Sequence, residues 1–214
     1  MKEKSYISLI IIVILFFSSF FCVAGLNSDF EEGPQGWTTT GFWHWVSPST
    51  SNYPEAHSGV ASFWYGLEAN GSYGNGQTNS GMLISPPLKN PSFMTFWTWW
   101  DIEAEDPVNY DLMQVTANDG TKYLFLQLNP QESPDDEFGW YSSGGYNTPA
   151  VWVKHTVDLR QYPGTNRVIF YFNTVDNVLN DDYYGWYIDD VLIYENSIPI
   201  DQIQKIIKGN QDKK

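Results

Sequence analysis

Short runs in which apolar and polar residues alternate dominate residues 26–195. The clearest is Val151 to Leu159. Val151, Val153, Val157 and Leu159 fall on one side of a two-residue repeat, and Trp152, Lys154, Thr156 and Asp158 on the other. A period of two sends successive side chains to opposite faces of a β-strand. Strands are expected at Phe42–Val46, Ala61–Tyr65, Gly81–Ser85, Phe93–Glu103, Tyr110–Ala117, Lys122–Leu128, Val151–Leu159, Arg167–Thr174 and Trp186–Tyr194. Gly, Pro and Asn clusters separate them, and Asn118-Asp119-Gly120 is a hairpin signal. That spacing predicts an all-β fold, an antiparallel sandwich of about nine strands in one domain over 26–195. Segments 129–149 and 175–184 read as loops. Ile200, Ile203, Ile206 and Ile207 recur at helical spacing in the polar tail 196–214, which is expected to form a short helix or to fray.

The first 25 residues break the pattern. Met1-Lys2-Glu3-Lys4 is followed by an apolar stretch, unbroken from Leu9 to Phe17, and then by small residues at Val23-Ala24-Gly25. This is the layout of a secretory signal peptide, with cleavage expected after Ala24 or Gly25. Two alternatives stay open: an uncleaved N-terminal membrane anchor, near the lower length limit for a span, and lipid attachment at Cys22. Large Phe21 precedes Cys22, where a lipidation signal wants a small residue. Export through the leader makes the protein secreted or cell-surface. Cleavage would also remove the only cysteine, so neither a disulfide nor a thiolate site supports the mature domain.

Charge narrows the partners. The 214-residue chain carries 25 acidic against 11 basic residues, net −14. A nucleic-acid ligand needs the opposite sign, and anionic membranes are disfavoured for the same reason, leaving the leader as the one route to a membrane. Aromatic residues reach 17%. They suit a pleated surface and also supply platforms for sugar rings or a protein partner. Trp43, Trp45, Trp97 and Trp99 are the candidate ligand-binding residues. On the long strand, either Trp97 and Trp99 or Trp100 with Phe96 must turn away from a given sheet face.

Catalytic chemistry is thinly represented. His44, His57 and His155 show no zinc-hydrolase spacing, and no Gly-x-Ser-x-Gly elbow is present. The glycine-rich stretch Gly71–Gly81 lacks the lysine of a phosphate loop. Asp101 and Glu103 share one face of the long strand, with Asp111 nearby in sequence. A glycan hydrolase using these carboxylates is therefore the enzymatic alternative to a non-catalytic reading. A purely structural surface protein is a further one.

Two acidic segments bracket the domain. One is Asn27-Ser28-Asp29-Phe30-Glu31-Glu32-Gly33, followed by Gly36-Trp37. The other is Gly185-Trp186-Tyr187-Ile188-Asp189-Asp190-Val191. If the first and last strands lie side by side, these acids meet, and adjacent carboxylates repel unless a cation joins them. Hard oxygen donors point to calcium; solvated strand acids are the alternative.

These segments, together with Ser80-Gly81-Met82-Leu83-Ile84-Ser85-Pro86, Phe96–Glu103, Tyr110-Asp111, Asp119-Gly120 and Val157-Asp158-Leu159, resemble, in order, the MAM-like accessory domain of immune inhibitor A metallopeptidases and related bacterial surface modules. The resemblance spans roughly residues 28–195 and does not extend to the peptidase domain. It implies a two-sheet antiparallel jelly roll with a structural calcium held by Glu31 and Asp189; beside them, Asp190 is the next candidate ligand. It also implies a non-catalytic binding or adhesion module with an extracellular glycan or protein as partner. Jelly rolls of this outline include carbohydrate-binding modules, so the fold does not choose the ligand.

Overall fold

A computed structural model describes residues 22–47, 54–104, 111–118, 123–128, 139–176, 180 and 182–196. Thirteen strands follow in order: β1 (Cys22–Ser28), β2 (Thr38–Thr39), β3 (Trp43–Val46), β4 (Ser62–Tyr65), β5 (Ser80–Ile84), β6 (Pro91–Ala104), β7 (Leu112–Ala117), β8 (Leu124–Gln127), β9 (Gly139–Ser142), β10 (Gly145–Tyr146), β11 (Val153–Asp158), β12 (Val168–Asn173) and β13 (Gly185–Asn196). They form two antiparallel sheets. One runs β10-β9-β6-β13-β4-β3, with β1 also on β13 and β11 also on β6; the other runs β2-β5-β12-β7-β8. The all-β two-sheet expectation holds, and each of the nine strands read from the sequence has a counterpart.

Three places differ from the sequence reading. The first strand ends before the acids of the N-terminal bracketing segment: β1 stops at Ser28, and Glu31 lies in the turn that follows. β1 begins at Cys22 and runs antiparallel to Val191–Asn196, so the expected domain start at residue 26 falls inside a strand. Segment 129–149 contains a hairpin, β9–β10, whose first strand pairs with the end of β6. Residues 1–21 and 197–214, which include most of the leader and the isoleucine-bearing tail, lie outside the described residues.

Cross-strand register explains the aromatic content. Trp43, Tyr65, Trp186 and Trp100 are opposite one another across β3, β4, β13 and β6. This row faces the other sheet and belongs to the core with Phe63, Phe96, Phe170 and Phe172. The neighbouring row, His44, Trp64, Tyr187 and Trp99, points the other way. There Trp64 stacks on Tyr187, with ring centroids 5.5 Å apart and planes at 10°. Both faces of this sheet therefore bury aromatic surface. The outer layer is a separate small cluster of Val46, Trp64 and Tyr187, flanked by half-buried Trp99 and Trp152.

His155 on β11 sits against the core row, stacked on Phe96 at 5.4 Å. Its Nε2 is buried without a hydrogen-bond partner, and burial holds the imidazole below its ordinary pKa. The unfolded chain therefore takes this proton more readily than the folded one. Stability present above about pH 6.5 is lost as pH falls through that value. Urea unfolding at pH 7.5 and 5.5 should show a loss in the wild type that His155→Gln reduces. An equal loss in both proteins would mean that His155 does not contribute.

Candidate cation site

The site begins with an irregularity in β13. Asp189 is opposite Trp97 on β6, but Leu192 is opposite Thr95, so Asp190 and Val191 together face the single residue Phe96. This is a β-bulge, and Asp190 occupies it with φ 47°. Strict alternation would send Asp189 and Asp190 to opposite faces. The bulge lets both carboxylates reach the segment His57–Ala61, which precedes β4.

That segment supplies the partners. Asp189 Oδ2 accepts from the Ser58 N–H at 3.2 Å and its Oδ1 from the Asp190 N–H at 2.7 Å. Asp190 Oδ1 accepts from Ser58 Oγ at 2.9 Å, and its Oδ2 lies 2.5 Å from His57 Nδ1. Glu31 engages the same segment further along, its Oε1 accepting from the Val60 and Ala61 N–H groups, each at 3.0 Å. The turn carrying Glu31 is tied down by Asp29 Oδ1, which accepts from Gln35 Nε2 at 2.7 Å, and by Trp45 Nε1, which donates to Phe30 O at 2.8 Å.

Three expected ligands, Glu31, Asp189 and Asp190, thus converge on one five-residue segment. His57 is the residue that sequence reasoning missed. One atom each from His57, Asp189 and Asp190 lie within 4.8 Å of one another. Asp189 is 0% exposed. Burial, and after it the Asp190 charge, raise its pKa to about 7, against the N–H groups of Ser58, Asp190 and His57. A buried carboxylate beside a second one favours a proton or a cation. The two aspartates fit calcium, whereas the imidazole nitrogen is a softer donor than calcium prefers.

The candidate aromatic residues divide. Trp43 is 2% exposed, in the core against Trp186 at 5.2 Å, which corrects its assignment as a ligand platform. Trp45 is half-buried against the core, with its indole N–H committed to Phe30 O. Trp97 and Trp99 do reach the outer face. One side of Trp97 is covered by His57, stacked at 3.7 Å and 17°. Trp99 meets Tyr187 and Tyr184 edge-on, and Tyr184 is 44% exposed.

The carboxylates of the hydrolase alternative are enclosed. Asp101 is buried, its carboxyl raised by burial to about 6. Glu103 and Asp111 are both 0% exposed.

No family model matches the chain. Bacillopeptidase F of Bacillus subtilis (strain 168) is 30% identical over 183 residues, covering 81% of this chain and 11% of that protein. Among solved structures, the K3 cleaved adhesin domain of Lys-gingipain from Porphyromonas gingivalis w83 aligns with a TM-score of 0.51 and 20% identity, over 81% of this chain and all of that one. The likeness shows a shared sandwich fold. A family 22 carbohydrate-binding module of Clostridium thermocellum Xyn10B aligns with a TM-score of 0.38 and 13% identity, over 81% and 94% of the two chains.

Proposed function

We propose that this chain is a secreted or cell-surface binding module, non-catalytic, that recognises an extracellular glycan and is stabilised by calcium. The observation that carries the reading is the contrast between two parts of the long sheet. Its outer face presents partly exposed rings at Trp99 and Tyr184, suited to stacking on a sugar, while the carboxylates of Asp101, Glu103 and Asp111 are shut away from substrate. Glu31, Asp189 and Asp190 are the calcium ligands in this reading. His57 positions Asp190 through their short contact. An ion there would supply positive charge that lets both aspartates ionise in the fold.

Among the described residues no helix is long and apolar enough to cross a membrane. Export rests on the leader-like start of the sequence. The adhesin-like fold and the partial match to Bacillopeptidase F are compatible with a module of this kind.

Glycan-array screening of the purified protein, followed by titration of the best ligand, tests the reading. Trp99→Ala and Tyr184→Ala should each weaken binding by about tenfold, near 1.4 kcal/mol, without loss of fold. Binding indifferent to both substitutions would move the ligand elsewhere. Glycan turnover abolished by Asp101→Asn would replace this reading with the hydrolase alternative.

A further inference from the structure

A break in β1 falls where the leader is expected to end. β1 pairs with β13 in two stretches. Cys22, Val23 and Ala24 lie opposite Asn196, Glu195 and Tyr194, and Leu26, Asn27 and Ser28 lie opposite Ile193, Leu192 and Val191. Gly25 is the extra residue between them, a β-bulge. The regular ladder into the domain starts at Leu26. Ala24 and Gly25 are both small, so the bond after either one suits a leader peptidase. The sequence leaves two cleavage positions open, and the surroundings of Gly25 distinguish them.

Glu195 is the group that matters there. It is half-buried on β13, opposite Val23 of β1 and Pro91 of β6. Its Oε1 accepts from the Lys89 N–H at 2.6 Å, which anchors the carboxylate. Gly25 sits directly against this side chain. A Cβ built on Gly25 would lie 2.2 Å from Glu195 Cγ and 2.5 Å from the carboxylate carbon Cδ. Standard bond lengths then place Gly25 N within about 5 Å of that carbon. Among the described residues no ion pair reaches Glu195; the pairs are His44 with Glu68, His57 with Asp190 and Arg160 with Asp158.

We propose that the leader is cut between Ala24 and Gly25, and that the ammonium released on Gly25 becomes the ion-pair partner of Glu195. This rests on the secreted reading above and is independent of calcium and of the glycan face. A leader peptidase of the export machinery catalyses the step. The bond from the Ala24 carbonyl carbon to Gly25 N breaks, and water gives its hydroxyl to that carbon and a proton to that nitrogen. The new acid proton passes through solvent to the amine, leaving a carboxylate on Ala24 and an ammonium on Gly25. The ammonium brings three donors and a positive charge to an anchored carboxylate. Cutting one residue later would place it on Leu26, opposite Ile193, and would discard the glycine whose missing side chain admits Glu195.

The test starts from the full chain expressed with its own leader in a secreting bacterial host. Intact mass and N-terminal sequencing of the protein in the medium should give Gly25 as the first residue. A secreted chain that begins at Cys22, Leu26 or any other residue would overturn the inference and leave secretion standing. A chain that keeps Met1 would overturn the secreted reading and the inference with it. The ion pair is read on the same protein by nuclear magnetic resonance titration of its isotope-labelled, reductively methylated α-amine. That amine should titrate at a higher pH in the wild type than in Glu195→Gln, because the carboxylate favours its charged form. The wild-type value should also fall between low salt and about 1 M salt, as expected for a partly exposed pair. This second measurement needs no variant and stands even if Glu195→Gln fails to fold. An amine that titrates identically in both proteins, or is indifferent to salt, would overturn the pairing with Glu195.

Discussion

Trp186→Ala should destabilise the domain by about 4 kcal/mol, within the usual range for deleting a buried indole. Trp186 lies on β13, which pairs with β1, β4 and β6. Its ring is fully buried and spans the gap between the sheets. It meets Trp43 at 5.2 Å on its own sheet, and Phe170 at 5.8 Å and Phe172 at 6.4 Å on the other. Its Nε1 donates to Thr98 Oγ1 at 2.6 Å. Truncation opens a cavity that aromatic neighbours fill poorly, because rings cannot fold inward as aliphatic chains can. For a chain of this size the melting temperature should fall on the order of 10 °C. Trp99→Ala, on the half-buried outer face, should cost clearly less. Urea unfolding of both variants decides the matter. A Trp186→Ala cost below about 1 kcal/mol would mean that β13 is not the centre of the inter-sheet packing.

Nine of the strands were legible as short alternating or apolar runs between Gly, Pro and Asn clusters. Which face is inside was not legible. Trp43 and Trp45 share a face, as do Trp97 and Trp99, but local sequence does not say which pair meets the other sheet. Register across β3, β4, β13 and β6 decides it, and register is a tertiary property. β1 was hidden because its first residues continue the apolar leader. The β9–β10 hairpin was hidden because its strands are too short to show a period.

Asp189 and Asp190 illustrate a different limit. Neighbouring residues on a regular strand diverge, and only the bulge at Asp190 turns both toward one segment. His57 stands 133 residues before Asp190 in sequence. No local spacing advertises that contact. Glu31 was singled out correctly as a residue near the closing motif, but it reaches the 57–61 segment from a turn and not from a strand.

Calcium should raise the melting temperature of the wild-type protein, and Glu31→Gln, Asp189→Asn and Gly59→Ala should each remove most of that rise. A ligand that binds only the folded state adds about 3 kcal/mol at one hundred times its dissociation constant, which corresponds to roughly 5–10 °C for a domain of this size. Asp189 gives the largest part of the argument. It is buried beside Asp190, with backbone N–H groups as partial compensation, so an ion that lets it ionise recovers charge stabilisation that the apo fold lacks. Gly59 tests the geometry without touching a charge. Its φ is +59°, and a Cβ built there would lie 2.2 Å from the Glu31 carboxylate carbon. Alanine must therefore strain the backbone and push Glu31 away from the Val60 and Ala61 N–H groups at once. Trp99→Ala, whose ring packs on Tyr187 and Tyr184, should keep the calcium response. Scanning calorimetry in calcium and in chelator measures all five proteins. If the wild type melts at the same temperature in both, Glu31, Asp189 and Asp190 are held by the hydrogen bonds of the 57–61 segment alone, and calcium has no part in this fold.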